Sequence, residues 1–147
     1  GAPPVSVTCP MRAFAADDPE RFAKRYGLTG TTAEMATEFE TLGSDYQANG
    51  YTTMEQADRL RNELELQPGK VLVDLGSGCG WPGLYLAQSA GCAVISIDPV
   101  AEGCATANRR LIRDGLVSPS ASIRGDAESI PIRPASVDAV THGDLLC

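Results

Sequence analysis

The run Val71-Leu72-Val73-Asp74-Leu75, followed at once by Gly76-Ser77-Gly78-Cys79-Gly80, constrains the fold more than any other stretch of this chain. A short apolar run rich in β-branched residues is the mark of a strand buried on both faces, as in a parallel sheet. Ala93-Val94-Ile95-Ser96-Ile97 is a second such run, a weaker strand follows at Ala121 to Arg124, and a fourth at Val137 to Thr141. Between the first two strands, Pro82 suits the first turn of a helix carrying Leu84, Tyr85 and Leu86. A further helix runs from near Val100 to Leu111 and Ile112, with Gly115 as its stop. This succession predicts an α/β fold, a Rossmann-like doubly wound parallel sheet with right-handed crossovers.

The residues before Lys70 follow a different pattern. Asp18-Pro19-Glu20 places an N-cap before a proline at the first helical position, and Gly27 closes that helix. Thr31 with Glu34 has the capping-box spacing ahead of Met35, Phe39 and Leu42, which share one helical face, and Gly43 ends that helix. A second capping box, Thr52 with Glu55, opens a helix through Ala57, Leu60 and Leu64 that stops at Pro68-Gly69. Between these two helices lies a polar loop bearing Tyr46 and Tyr51. The organisation expected is a tail and helical cap over residues 1–67 and an α/β domain over residues 68–147.

Composition narrows the class. A chain of 147 residues builds one core rather than two. Its 43% apolar and 21% charged content is that of a soluble globular domain. A net charge of −7 argues against a nucleic acid as main partner, because that association needs a basic face that releases counterions. Arg109, Arg110 and Arg113 lie close together and read as a solvated helix face. Nothing is apolar over the ~20 residues that cross a bilayer, and Gly1 to Pro10 lack the basic start and apolar run of a secretory signal. The 5 cysteines form no CxxC pair and there is 1 histidine, so no metal site is expected. Free thiols in a reducing cytoplasm are the economical reading.

Glycines after a buried parallel strand let the chain turn sharply and bring its backbone against a ligand at the carboxyl ends of the strands. A Gly-x-Gly alone is more often a plain turn. Asp98 raises its significance: it ends the second strand, near the roughly 20-residue interval at which a strand-end acid meets a ribose. Asp98-Pro99 also has the form of a simple helix cap. A rival frame, Gly78-Cys79-Gly80-Trp81-Pro82-Gly83, matches the Gly-x-G-x-x-Gly of nicotinamide and flavin enzymes. It starts two residues late, and Pro82 removes one N–H from the helix start that would receive a pyrophosphate.

With these residues in view, Val71 to Gly80 resembles motif I of the class I S-adenosylmethionine-dependent methyltransferases, of the type-11 kind. Ile97-Asp98-Pro99 resembles the end of that family's second strand, and Gly125-Asp126-Ala127-Glu128-Ser129-Ile130-Pro131-Ile132 its third-strand signature. Val137-Asp138-Ala139-Val140 is similar to its fourth strand. The resemblance implies the first four strands of the family's fold under an N-terminal helical cap, with S-adenosyl-L-methionine as cofactor and S-adenosyl-L-homocysteine as product. It implies that Asp74 steadies the turn and faces the methionine end of the cofactor, which Gly76, Ser77, Gly78 and Gly80 approach with their backbone. Asp98 would take the ribose, Pro99 would pack near the adenine, Asp126 would accept the adenine amino group, and Ala127 would offer its backbone to the ring. Asp74 also reads as a buried strand-end acid, and Asp126 as a turn residue.

Methyl transfer from a sulfonium has an activated leaving group, so alignment contributes most and no universal catalytic residue is implied. His142, just after the fourth strand, is the candidate base because imidazole titrates near neutrality. Trp81, Tyr46 and Tyr51 read either as walls of the site or as packing. The expected activity is methyl transfer to a small-molecule acceptor, without nucleic-acid or membrane partners. The family's domain continues past the point where this chain stops, at Cys147. A truncated form would leave the fourth strand as an open apolar edge, expected to pair with a second copy of the chain as a homodimer. A non-catalytic S-adenosylmethionine-binding or dimerisation fragment is the alternative, followed by a nicotinamide-binding oxidoreductase.

Overall fold

The computed structural model describes residues 32–43, 45–48, 52–116 and 118–143. The helix expected from Asp18 to Gly27, the Thr31 cap, Tyr51 and Asp144 lie outside the described residues. Helices α1 (Thr32–Leu42) and α2 (Met54–Glu63) precede β1 (Val71–Leu75), α3 (Gly83–Ala90), β2 (Ala93–Asp98), α4 (Ala101–Arg113), β3 (Ala121–Arg124) and β4 (Ala139–His142). The four strands form one sheet in the order β3-β2-β1-β4, with every pairing parallel. The chain thus steps outward from β1 to β3 and returns to the far side of β1. That reversal puts a topological switch point between β1 and β4, where doubly wound sheets hold their ligands.

Register explains how the sheet divides its faces. Leu72 is opposite Val94, and both are fully buried in a core shared with Ala57 of α2, Leu84 and Leu86 of α3, and Ala107 and Leu111 of α4. One row further along, Ser122, Ser96, Asp74 and Thr141 stand side by side across all four strands, all buried. Because side chains alternate along a strand, this polar row shares its face with Leu72 and Val94, beneath the helices. The return from β3 to β4 contains no helix. Its last residues tie back to the sheet: Asp138 donates its N–H to the Val71 carbonyl at 2.9 Å, and its carboxylate accepts from Val71 N at 2.8 Å and Lys70 Nζ at 3.2 Å.

Several local expectations shift. The capping box of α2 belongs to Thr53 and Gln56, not Thr52 and Glu55. Thr53 Oγ1 accepts from Gln56 N at 3.2 Å, and Gln56 Oε1 accepts from Thr53 N at 2.8 Å. Thr52 has another partner, its carbonyl accepting from the Trp81 indole at 2.8 Å. Pro82 is the N-cap of α3 rather than part of its first turn. β4 starts at Ala139 because Asp138 spends its hydrogen-bonding groups on the edge of β1. The shared face of α1 is only partly covered: Leu42 is buried, but Met35 and Phe39 are 44% and 65% exposed. The reading of Arg109, Arg110 and Arg113 as one solvated face fails at Arg110, which is 8% exposed.

Candidate functional site

The carboxyl ends of the strands form a rim on which the expected residues gather. Gly76 N and Ser77 N both donate to the Ile97 carbonyl, at 2.8 and 3.3 Å, so the turn leaves β1 lying against the end of β2. Gly78 N donates to Asp98 Oδ2 at 2.7 Å, and Gly80 N to the Ser77 carbonyl at 2.7 Å. Gly76, Gly78 and Gly80 take φ values of 68, 51 and 108°, in the region that favours glycine. At Gly80 a side chain is excluded twice, since an added Cβ would also stand 2.8 Å from Leu84 Cδ2.

Asp74, in β1 just before this turn, is a fully buried anchor. Its Oδ2 accepts from Gly83 N at 3.0 Å, at the start of α3, where the helix dipole favours negative charge. Gly83 is glycine for lack of room: a Cβ there would lie 2.3 Å from Asp74 Oδ2. Asp74 Oδ1 has no partner among the described residues, nor have Ser77 Oγ and Ser96 Oγ. Burial dominates the balance and pushes the Asp74 carboxyl up to about 8, against the Gly83 N–H, which lowers it, and with the Asp98 charge, which raises it further. Asp98, 5% exposed, is likewise raised by burial, opposed by the N–H groups of Val100 and Gly78. Its Oδ1 accepts from Val100 N at 2.9 Å, so it does brace the start of α4 as a cap would.

The other expected residues lie along the same rim. Gly125 N donates to the Asp98 carbonyl at 3.1 Å, bringing Asp126 and Ala127 beside the end of β2. Asp126 is exposed, and its Oδ1 accepts from Glu128 N at 3.0 Å in a turn that Ser129 N closes on the Asp126 carbonyl. Pro99 is exposed and follows Asp98 directly. His142, also exposed, pairs in register with Leu75, so it flanks the switch point on the side opposite Asp98. Trp81 is packing: 7% exposed, it lies between Tyr46 and Tyr85, with ring centroids 5.2 and 5.5 Å away.

Two residues matter here that sequence reasoning passed over. Gly83 appeared only in the rival Gly-x-Gly-x-x-Gly frame, yet it is what lets Asp74 reach the helix start. Arg110 looked solvated, yet its Nη1 donates to the Cys79 carbonyl at 2.8 Å inside the glycine turn. Its position offered a signal, because Cys104, Ala107 and Leu111 mark the buried face of α4 and Arg110 stands beside them.

The family model for the methyltransferase domain matches residues 73–147, which contain the turn, Asp98, Asp126 and all of β4. The chain belongs to this methyltransferase domain family. Solved methyltransferases share its fold. An S-adenosylmethionine-dependent methyltransferase from Thiobacillus denitrificans, solved with S-adenosyl-L-homocysteine, is 29% identical with a TM-score of 0.54 over 61% of this chain and 36% of that one. Another from Geobacter sulfurreducens, also solved with S-adenosyl-L-homocysteine, is 25% identical with a TM-score of 0.58 over 72% of this chain and 42% of that one. A third, from Aquifex aeolicus, is 20% identical with a TM-score of 0.56 over 85% and 56%, a likeness of fold alone. The methyltransferase domain described here therefore spans less than two thirds of the length of each. Comparison with curated proteins finds no match.

Proposed function

We propose that this methyltransferase domain binds S-adenosyl-L-methionine on the rim formed by the glycine turn, Asp98 and Asp126, and serves methyl transfer to a small-molecule acceptor. The observation that carries the reading is how the turn's N–H groups are used. The N–H groups of Gly76, Ser77, Gly78, Gly80 and Gly83 all have partners within the chain, and two of those partners are the buried carboxyls of Asp98 and Asp74. A pyrophosphate needs free N–H groups and no nearby acid. A cofactor without a pyrophosphate suits a turn whose N–H groups are already taken, and a dinucleotide does not.

The residues present fit such a cofactor. Each Asp98 oxygen already accepts one N–H and retains a lone pair for a ribose hydroxyl. Asp74 Oδ1 and Ser77 Oγ are buried polar atoms beside the turn with no partner among the described residues. Gly76 and Gly78, with their left-handed φ, form the part of the turn that approaches the cofactor, Gly80 makes room for Leu84, and in this reading Asp126, Ala127 and Pro99 serve the adenine. When bound, the cofactor supplies a methyl group on an activated leaving group. The chain's part is to hold and align it, which is worth ~7–11 kcal/mol in favourable cases. His142 brings an imidazole to the rim and is the candidate to take a proton from an acceptor. The net charge of −7 disfavours a polyanionic acceptor and so supports the small-molecule reading. A cytoplasmic setting accords with Cys79, Cys92 and Cys104 as free, buried thiols, and no helix among the described residues is long and apolar enough to cross a membrane.

Calorimetric titration with S-adenosylmethionine and S-adenosylhomocysteine tests the reading, with NAD as comparison. Binding of the first two, lost in Asp98→Ala, is expected. Tight NAD binding without either of them would overturn it. Turnover of a panel of small acceptors then separates an enzyme from a binding module.

A further inference from the structure

Residues 45–48, between α1 and α2, are gripped from two sides. Glu38 of α1 accepts the N–H groups of Tyr46 and Ala48 on one oxygen, at 2.7 and 3.2 Å. Arg110 of α4 takes the carbonyls: Nη1 donates to Tyr46 O, and Nη2 to Asp45 O at 3.2 Å. The same Nη1 reaches the Cys79 carbonyl at 2.8 Å, and the guanidinium lies 4.9 Å from the centroid of the Tyr46 ring.

Burying a guanidinium is costly, and an apolar side chain of similar volume commonly fills such a space with equal or better stability. What the apolar chain cannot do is hold carbonyls of two distant segments in one rigid fork. The effect on the turn is specific. The Cys79–Gly80 peptide is held at both ends, its carbonyl on Arg110 and its N–H on the Ser77 carbonyl at 2.7 Å. It ends in Gly80, whose backbone resists rotation least.

We propose that Arg110 is a positioning residue that couples segment 45–48 to the glycine turn, so that a ligand seated on the turn steadies the segment. This rests on the reading that S-adenosylmethionine binds there. The coupling reaches the N-terminal helices through α4, away from the rim itself.

Amide hydrogen exchange at Tyr46, Ala48, Gly78 and Gly80, with and without saturating S-adenosylhomocysteine, tests it in the wild type, Arg110→Lys and Arg110→Met. In the wild type the ligand slows Tyr46 and Ala48 by about tenfold or more, along with the turn. In Arg110→Met, at equal saturation, the turn still slows while Tyr46 and Ala48 do not, and Arg110→Lys is intermediate. A folded Arg110→Met with wild-type slowing at Tyr46 and Ala48 overturns the coupling. If that variant does not fold, Arg110→Lys decides: reduced slowing supports the coupling, and full slowing overturns it. A wild type whose turn is protected while Tyr46 and Ala48 are unaffected also refutes the coupling but leaves the cofactor site standing. A wild type that does not bind the ligand refutes both.

Discussion

Adding one methyl group at Gly83 sets two effects of opposite sign against each other. Gly83 begins α3 with no left-handed φ, so alanine is compatible with its backbone and would gain up to about 1 kcal/mol in helix propensity. Against this, the new Cβ would lie 2.3 Å from Asp74 Oδ2, 2.6 Å from Asp74 Cβ and 2.7 Å from Asp74 Cγ. Asp74 is fully buried and cannot swing into solvent. Strain in a packed site costs about 1–3 kcal/mol. Losing the Gly83 N–H from a buried carboxyl costs about another 1–3 kcal/mol. The clash wins, and Gly83→Ala is expected to lose about 1–5 kcal/mol net, or roughly 4 °C in Tm for each kcal/mol. Urea unfolding followed by circular dichroism measures this. In an Asp74→Ala background the penalty shrinks without vanishing, because the Cβ contact persists. A Gly83→Ala protein as stable as wild type, or more so, would refute this account of why a glycine follows Pro82.

Three further outcomes follow from the same geometry. The folded protein holds the Asp74 proton up to about pH 8, whereas the unfolded chain releases it near an ordinary carboxylate pKa of about 4. Between those values the folded state binds more protons, so this group's contribution to stability falls as pH rises, by up to about 1.4 kcal/mol per pH unit. Asp74→Asn should flatten the pH dependence of urea unfolding across that window, and an unchanged slope would contradict the burial argument. Cys79, 3% exposed and with its thiol pushed up to about 11 by burial despite the nearby Arg110, should escape alkylation at mildly alkaline pH until urea is added. Mass spectrometry showing rapid labelling of Cys79 in the folded protein would count against it. Thr53→Ala should cost about 1 kcal/mol and Thr52→Ala much less, since Thr53 carries the cap of α2; equal costs would return the cap to Thr52.

The features legible in the sequence were those whose signal is local. Val71–Leu75 and Ala93–Asp98 stood out because a strand covered on both faces needs an unbroken apolar run, and Asp74 interrupts its run only where a helix start meets it. Adjacent threonines show where this stops. Thr52-x-x-Glu55 and Thr53-x-x-Gln56 both satisfy the capping pattern, and the choice rests on the Trp81 indole, distant in sequence, which takes the Thr52 carbonyl. Arg110 was hidden for a related reason: charge argues for solvent unless carbonyls converge on it, and those come from residues 45, 46 and 79. Asp98 was readable as a ribose acid or as a helix brace. The structure shows the brace directly, and the remaining lone pairs leave the ribose role compatible with it.

Nitrogen-15 amide shifts on titration with S-adenosylhomocysteine test the central claim most directly. The largest shifts are expected at Gly76, Ser77, Gly78, Gly80, Asp98 and Ala127, with NAD leaving them in place. Shifts confined to other parts of the chain, or the same shifts with NAD, would contradict a cofactor site built on the glycine turn.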